Sequence, residues 1–284
     1  METTFQNIGN FIELSNVNIG MLRALFKRSL LCDSKLGFEL DMTNGSLSSL
    51  AGGSSFFKKW SEPIANFAQN ITSTVKTSVK VFVFDGSKFV DRVLSNFDNT
   101  ATITILCDNV QGEHVAKQVV VSSPMLTIRT VCGLLRLGYV QLKPEEHRAL
   151  FENTTNLRKL ELTSQQINTL SRFGSLNMLG KSVEGIELRT NQKGLVASDG
   201  SFEFVLDPNY QYDLQPITIH KSLLRFIDDN ESYEVRITTM QTGTDIMTLK
   251  SKEHDLIMTM ALIVNVSPMI SNFDNESDDD DLPF

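Results

Sequence analysis

Alternating apolar and polar residues dominate this chain and predict a series of short β-strands. Residues 79–84 read Val-Lys-Val-Phe-Val-Phe and residues 100–105 read Thr-Ala-Thr-Ile-Thr-Ile, and a period of two is typical of strands. Between them, residues 88–97 place apolar side chains at helical spacing, directly after a turn that can cap a helix. Further strands are predicted over 119–122 and 126–131.

The same order of elements recurs in the second half of the chain. A strand over 217–219 precedes a short predicted helix over 221–228. Strands follow over 233–238, 245–250 and 256–266. Two similar halves indicate an internal duplication.

The spacing between corresponding residues supports this interpretation. Lys88 stands 133 residues before Lys221, and Ile105 stands 132 residues before Ile237. Any two strand-rich halves can be aligned by chance, but several anchor pairs in one order favour a true duplication.

The two halves also begin alike. Residues 12–15 resemble residues 160–163, 148 positions later. Helices predicted over 18–31 and 164–176 follow these two segments. The first half is longer by about sixteen residues, and we expect the extra length in the Ser- and Gly-rich stretch 44–78, interpreted as a loose insertion.

The predicted architecture is α+β, with two duplicated domains that each place antiparallel sheets outside and two helices on one face. The first domain spans 1–132 and the second spans 157–267. Residues 133–156 carry many apolar side chains and are predicted to form an extended interdomain connector instead of a flexible linker. Residues 268–284 are predicted to be a disordered acidic tail.

The net charge is concentrated in that tail. The chain has 26 Lys and Arg against 34 Asp and Glu, for a formal net charge of −8. Residues 271–284 hold six of the acids and no Lys or Arg, so the rest of the chain carries only −2. The overall acidity is therefore no argument against binding of nucleic acid.

Several classes of protein are disfavoured by what the sequence lacks. No apolar run approaches the roughly 18 residues of a membrane span, and the N-terminus lacks a secretory signal pattern. The three cysteines fit buried free thiols in a reducing compartment. Together with the missing secretory signal, these free thiols predict a cytoplasmic protein. No catalytic or metal-ligand spacing is present, so we also predict that the protein is not an enzyme and has no metal site and no cofactor.

Cationic residues recur on the predicted helices. Lys88 with Arg92, and Lys221 with Arg225, have the i,i+4 spacing that places both charges on one helix face. For any single helix, a solvated polar face is the alternative, but four helices in duplicated positions favour a surface that meets DNA phosphates without reading bases. The DNA-binding candidates are Arg23, Lys27, Arg28, Lys88, Arg92, Arg172, Lys181, Lys221 and Arg225.

Residues 10–266 resemble the DNA sliding clamps, the ring-shaped processivity factors of DNA polymerases. The resemblance rests on the repeated strand and helix pattern and on residues 194–205, Gly-Leu-Val-Ala-Ser-Asp-Gly-Ser-Phe-Glu-Phe-Val. It implies that the helices line a channel around duplex DNA, that the sheets lie outside, and that two domains per chain assemble as a homotrimer. It also implies a DNA polymerase and a clamp loader as partners.

The resemblance further implies an apolar partner groove beside the connector. Its candidate residues are Leu135, Leu137, Tyr139 and Val140. The alternative is that these side chains simply pack under the connector.

The end of the sequence carries a second resemblance, to the C-terminal tip of bacterial single-stranded DNA-binding proteins. That tip recruits replication and repair proteins, so we expect a partner hook here, against the alternative of an inert acidic tail. Its candidate residues are Asp278, Asp279, Asp280, Asp281, Leu282, Pro283 and Phe284.

The tip also keeps alternative functions open. A single-stranded DNA-binding protein is one alternative, and a structural β-rich virion protein is another. A bacterial-type tip on a compact replication protein would suit a bacteriophage protein acting in the cytoplasm of a bacterial host.

Overall fold

The computed structural model describes residues 9–32, 34–52, 56–133, 158–175, 185–200, 202–239 and 244–263. The predicted tail, Lys181 and the predicted connector after Gly133 lie outside these residues. All partner-binding candidates lie outside them as well, so the predictions made for these positions stay predictions.

The described residues of the first half form nine strands, two helical segments and a separate 3-10 turn. They are β1 (Asn10–Asn18), α1 (Ile19–Leu30), β2 (Leu36–Asp41), β3 (Ser46–Gly52), β4 (Phe56–Pro63), a 3-10 turn (Ile64–Asn66), β5 (Asn70–Ser73), β6 (Ser78–Val83), α2 (Gly86–Lys88), β7 (Thr100–Val110), β8 (Glu113–Ser122) and β9 (Thr127–Val131). The α2 segment continues as a π-helical turn, Phe89–Val93, and a 3-10 turn, Leu94–Asn96.

The second half repeats this order with eight strands among its described residues. They are β10 (Arg158–Leu162), α3 (Ser164–Ser175), β11 (Gly185–Asn191), β12 (Gly194–Ser198), β13 (Glu203–Asp207), β14 (Ile217–His220), α4 (Lys221–Leu224), β15 (Tyr233–Thr239), β16 (Asp245–Ser251) and β17 (Asp255–Ala261).

The strand order confirms the predicted duplication. The first half contains the path β4-β3-β2-β6, and the second half contains the equivalent path β13-β12-β11-β14. The strands β9-β8-β7-β1 of the first half likewise correspond to β17-β16-β15-β10 of the second. Each half therefore holds two four-stranded antiparallel arrangements with the same connectivity, and only β5 has no counterpart among the described strands.

The two halves join through a pair of strands. The last strand of the second half, β17, runs antiparallel to β4 of the first half, with Leu256 opposite Trp60. This pairing makes a continuous sheet of thirteen strands. Among the described residues, β9, the counterpart of β17, and β13, the counterpart of β4, each pair with one strand.

The long helices begin where the sequence provides caps. The Asn18 side chain accepts a hydrogen bond from the Met21 N–H at 3.0 Å and starts α1. Thr163 and Gln166 bond each other's backbone N–H groups in a capping box that starts α3. Both helices bury an apolar stripe in a core of buried side chains drawn from both halves.

The stretch 44–78 is not a loose insertion, and that prediction is wrong. It forms β3, β4 and β5, and Trp60 of β4 is among the most buried side chains described. The Trp60 Nε1 donates to Ser29 Oγ at 2.8 Å. Ser49 Oγ also lies buried and donates to the Gly37 carbonyl at 2.6 Å, so serines that suggest a loop in the sequence are satisfied inside the sheet.

The second helix of each half is less regular than predicted. The predicted helix over 88–97 is a mixture of α, π and 3-10 turns over 86–96. The predicted helix over 221–228 is a single α-helical turn that ends at Leu224. No helix in the described ranges is both long enough and apolar enough to cross a membrane.

The predicted match of Ile105 with Ile237 does not agree with the strand ladders. The ladder between β1 and β7 places Ile12 opposite Ile105, and the ladder between β10 and β15 places Leu160 opposite Val235. If Ile12 and Leu160 correspond, the counterpart of Ile105 is therefore Val235, two residues before the predicted Ile237. Bulges in β1 and β8 change the spacing along the chain without changing the strand order.

Candidate nucleic-acid interface

Contacts between the four helical segments place them in one row. The Phe26 ring of α1 lies 6.3 Å from the Phe89 ring of the α2 segment. At its other side, α1 reaches the loop after α4, where Arg28 Nε lies 3.4 Å from Asp228 Oδ2. The α4 turn contacts α3 in the second half. The order across the molecule is therefore α2, α1, α4, α3.

Seven of the predicted DNA-binding cations are exposed or half-buried on these four segments. Lys27 is 58% exposed, and Arg23 and Lys221 are half-buried. Four further cations are exposed: Lys88, Arg92, Arg172 and Arg225. We call this set of seven side chains the cationic row.

Some of these cations have neighbours that position them. The Arg225 guanidinium lies over the Phe226 ring, 4.7 Å from its centroid, and this arrangement holds the charge at the surface. Lys27 Nζ lies 3.9 Å from Asp91 Oδ1, but both side chains are more than half exposed. A pair of this kind contributes little and can exchange for a phosphate.

The charge of the row contrasts with that of the rest of the chain. Segments 19–30, 86–96, 164–175 and 221–225 hold eight Lys and Arg, including Arg28, and one carboxylate, Asp91. These segments therefore carry +7, and because the whole chain carries −8, everything else carries −15. A cationic surface on an otherwise acidic protein focuses binding of polyanions onto that surface.

Arg28 is the predicted DNA-binding residue whose environment fits the prediction least. Its side chain is only 17% exposed, and its Nη2 donates to Glu231 Oε1 at 2.8 Å. Asp228 is a second acidic neighbour. Arg28 belongs to the first half and both carboxylates belong to the second, so this cation ties the halves together.

Sequence reasoning missed a buried polar network at this joint. Glu231 accepts hydrogen bonds from Arg28, from Ser251 Oγ at 2.5 Å and from His254 Nδ1 at 2.9 Å. Nearby, the buried Lys58 Nζ donates to the Phe226 carbonyl at 3.1 Å. Desolvation by burial lowers the pKa of the Lys58 amine.

One signal of that network was present in the sequence. Lys58 follows Phe56 and Phe57 and precedes Trp60 by two positions, so strand alternation places it on the same side as two aromatic residues. Its acidic neighbours come from the other half and carry no local signal.

Two of the open strand edges among the described strands, β9 and β13, carry exposed apolar side chains. Nine large apolar side chains of the described ranges are exposed, and five lie on or directly before β9 and β13: Met125, Leu126, Val131, Phe202 and Val205. Exposed apolar groups on an open strand edge are typical of an interface with another chain.

Comparison by sequence finds no relatives: no protein-family model matches the chain, and no curated protein matches it. Comparison of structures finds bacterial DNA polymerase III beta sliding clamps. The beta chain of Streptococcus pneumoniae matches with a TM-score of 0.57 and 12% identity over 92% of this chain and 67% of that one.

Two further clamps match in the same way. The Helicobacter pylori beta clamp bound to a DNA ligase peptide has a TM-score of 0.58 and 10% identity, over 92% of this chain and 68% of that one. The Bacillus subtilis clamp has a TM-score of 0.54 and 9% identity, over 89% and 64%. This chain thus spans about two thirds of the length of these clamps. The predicted sliding-clamp fold is confirmed.

Proposed function

We propose that this protein is a DNA replication accessory factor, a ring-forming sliding clamp that encircles duplex DNA and tethers a polymerase. The observation that carries the proposal is the cationic row on an otherwise acidic chain with a clamp fold. Lys and Arg side chains on helices meet phosphates through charge alone, so their contacts are weak, numerous and exchangeable. Such contacts let a ring move along DNA without sequence preference.

A double substitution on the row tests this proposal. Lys88→Ala with Lys221→Ala removes one cation from each half. Because each lost phosphate contact reduces the slope of log affinity against log salt by about 0.9, we expect weaker duplex binding and a slope smaller by up to about 2. Fluorescence anisotropy with a labelled duplex at several salt concentrations measures both quantities.

A matched control removes two cations from outside the row. Lys117 of β8 pairs with Asp108, and Lys193, in the turn between β11 and β12, pairs with Glu203. Both lysine side chains are more than half exposed. Lys117→Ala with Lys193→Ala changes the net charge equally. If this control weakens duplex binding as much as the row variant, the cationic row is not the DNA surface.

We propose that the ring forms through the open edges of β9 and β13. Within one chain, β17 of the second half pairs with β4 of the first. By the duplication, β9 corresponds to β17 and β13 corresponds to β4, so β9 of one copy can pair with β13 of the next in the same geometry. Such a head-to-tail contact closes a ring, and three chains with two halves each give the six units that the clamp resemblance implies.

A charge placed on one edge tests this assembly. Val131 on β9 is 74% exposed, so Val131→Asp is harmless to an isolated chain but places a charge inside the proposed contact. Light scattering should give about three times 31.8 kDa for the unaltered protein and 31.8 kDa for the variant. Tyr212, equally exposed at 74% but outside both β9 and β13, provides the control variant Tyr212→Asp, which should remain assembled. Dissociation of both variants, or of neither, would count against the edge contact.

The partners belong to the same proposal. The Helicobacter pylori clamp holds a DNA ligase peptide, and we propose a polymerase, a clamp loader and similar replication proteins as partners here. The proposed partner sites are the apolar connector residues around Leu135 and Tyr139 and the tip at 278–284. Full-length Phe284→Ala should lose a partner contact while duplex binding is retained.

The tip specifically favours a second candidate, a single-stranded DNA-binding protein. That candidate predicts a protein that saturates single-stranded oligonucleotides without a loader and with strong salt dependence. Light scattering combined with an oligonucleotide titration separates the two. A monomer that saturates single strands would overturn the clamp proposal.

A further inference from the structure

The strand pair that joins the two halves provides a residue-level template for the contact between copies. In the ladder between β17 and β4, Leu256 lies opposite Trp60 and Ile257 lies opposite Lys59. The duplication assigns β9 to β17 and β13 to β4. The residues that meet between copies therefore follow once each position of the template is matched to its counterpart on β9 and β13.

On β9, the strand ladders give these counterparts. The matched residues of β7 and β15 lie opposite Val119 and Leu249 on the next strands. Those two residues lie opposite Thr130 of β9 and Met258 of β17. Thr130 therefore corresponds to Met258, and the residues that precede Thr130 correspond to those that precede Met258.

On β13, the hairpins give the counterparts. Each hairpin closes at the first residue of its second strand, Ser46 in β3 and Gly194 in β12. Two positions further along these strands, the partners on the following strands are Ser61 of β4 and Val205 of β13. Ser61 therefore corresponds to Val205, and the residues before them correspond in the same order.

The inner face of the transferred ladder is apolar. It places Ile128 of one copy opposite Phe204 of the next, in the positions that Leu256 and Trp60 occupy within the chain. Ile128 and Phe204 are both partly buried and already pack against the core. The contact between copies would therefore extend the core in the same way as the joint between the halves.

The outer face of the transferred ladder brings opposite charges together. It places Arg129, which is exposed, opposite Glu203. Glu203 is 25% exposed and lies 3.0 Å from Arg189 Nη2 and 3.3 Å from Lys193 Nζ. A carboxylate has about four acceptor positions, so Glu203 can accept a third cation. At the same place within the chain, an apolar side chain faces Lys59, so this charge pair belongs to the contact between copies alone.

We propose that Arg129 of one copy forms an ion pair with Glu203 of the next, and that this pair fixes the register of the contact and selects the correct edge. If β9 paired with β4 in place of β13, Arg129 would stand opposite Lys59. Like charges directly opposite each other destabilise a strand pair, so the wrong edge is disfavoured while the correct one is favoured. The ion pair rests on the proposed function, because it forms only if copies assemble through β9 and β13.

Disulfides between copies test the register. Residues directly opposite each other have Cα atoms about 4.5–5.5 Å apart, within the range of a disulfide. Arg129→Cys with Glu203→Cys should therefore form a covalently linked ring on oxidation with copper phenanthroline, visible on a non-reducing gel. Arg129→Cys with Val205→Cys places the thiols diagonally, about 7–8 Å apart, and should link poorly. Arg129→Cys alone controls for the three natural cysteines.

A double-mutant cycle tests the ion pair itself. Arg129→Glu places two carboxylates opposite each other and should weaken each contact roughly three- to tenfold. In a protein that already carries Glu203→Gln, the same change should weaken the contact by less than about twofold, because the opposing charge is gone. Sedimentation velocity over a dilution series measures both effects. An equal loss in the two backgrounds would overturn the ion pair.

The outcomes separate the ion pair from the proposed ring. If light scattering shows that the unaltered protein is a monomer, the ring fails and the ion pair fails with it. If the protein is a trimer and the diagonal cysteines link as readily as the opposite ones, the register is overturned while the ring stands. A trimer in which neither cysteine pair links would overturn the contact between β9 and β13.

Discussion

Replacing Glu231 by alanine should weaken the joint between the two halves. The Glu231 side chain is 3% exposed and accepts hydrogen bonds from Arg28, Ser251 and His254. Removing one partner of a buried ion pair costs about 3–5 kcal/mol, because the other charge stays buried without compensation. Arg28 keeps Asp228 at 3.4 Å and some solvent contact, so we expect a smaller loss, about 2–3 kcal/mol.

The chain provides its own reporter for this experiment. Trp60 is the single tryptophan, lies fully buried on β4 and faces Leu256 of β17 across the joint. Urea unfolding followed by its fluorescence therefore reports the free energy of unfolding where β4 meets β17. A loss of 2–3 kcal/mol should appear as a lower midpoint, with little change in the urea dependence.

An exposed ion pair provides the control. Glu161, 70% exposed, pairs with Lys252, and Glu161→Ala should change the free energy of unfolding by no more than about 0.5 kcal/mol. If Glu231→Ala costs no more than this control, the buried network does not hold the halves together. Glu231→Gln should lie between the two, since it keeps an acceptor but loses the charge.

Two further predictions concern local structure. Gly194 has φ +102°, and a Cβ there would stand 2.1 Å from the Asp207 carbonyl oxygen, so Gly194→Ala should cost about 2–4 kcal/mol in urea unfolding. Gly112 has φ +87° and open space around it, so Gly112→Ala should cost only about 1 kcal/mol of stability. Equal losses of stability for Gly194→Ala and Gly112→Ala would refute the steric argument. Burial raises the pKa of the Cys107 and Cys132 thiols to about 12. At pH 8 both thiols should therefore react slowly with iodoacetamide until urea unfolds the chain. Rapid labelling of the folded protein, read by mass spectrometry, would contradict this burial.

The positions of the strands along the chain were accessible from sequence because they depend on a local signal. Alternation of apolar and polar residues marks each strand, and its recurrence marks the second half. The offset between halves was less accessible. The ladders place Ile105 opposite Ile12 and Val235 opposite Leu160. A bulge appears in the sequence only as a three-residue step between buried positions, as from Leu14 to Val17, and that step does not reveal the register.

The stretch 44–78 shows how composition can mislead. Its serines and glycines are typical of loops, yet Ser49 is buried with its hydroxyl bonded to the Gly37 carbonyl. A buried hydroxyl is tolerated because that partner is present. The partner lies twelve residues away on another strand, so only the folded structure reveals that the serine belongs inside.

The candidate interface was predictable as a set of helices but not residue by residue. A helical spacing assigns charges to a face, and seven of the predicted cations are exposed or half-buried on the four helical segments. It does not reveal which charges meet a carboxylate from a distant segment. Glu231 lies 203 residues after Arg28, and that separation hides the partner from any local pattern.

Two neighbouring residues of α1 therefore separate DNA contact from structural support. Lys27 is 58% exposed, so Lys27→Ala should leave the free energy of unfolding within about 0.5 kcal/mol. It should also reduce the salt slope of duplex binding by up to about 0.9. Arg28 is 17% exposed and ion-paired across the joint, so Arg28→Ala should cost about 2–3 kcal/mol of stability with a smaller change in the salt slope.

Lys27→Ala and Arg28→Ala can be compared directly because both substitutions remove one positive charge from the same helical turn. Long-range electrostatics therefore change almost equally, and a difference in the salt slope reports direct contact with phosphate. Trp60 fluorescence in urea and anisotropy with a labelled duplex measure the two effects on the same protein samples. Equal salt slopes together with equal stabilities would mean that Arg28 faces the DNA as Lys27 does, and the buried pair with Glu231 would then not exist in solution.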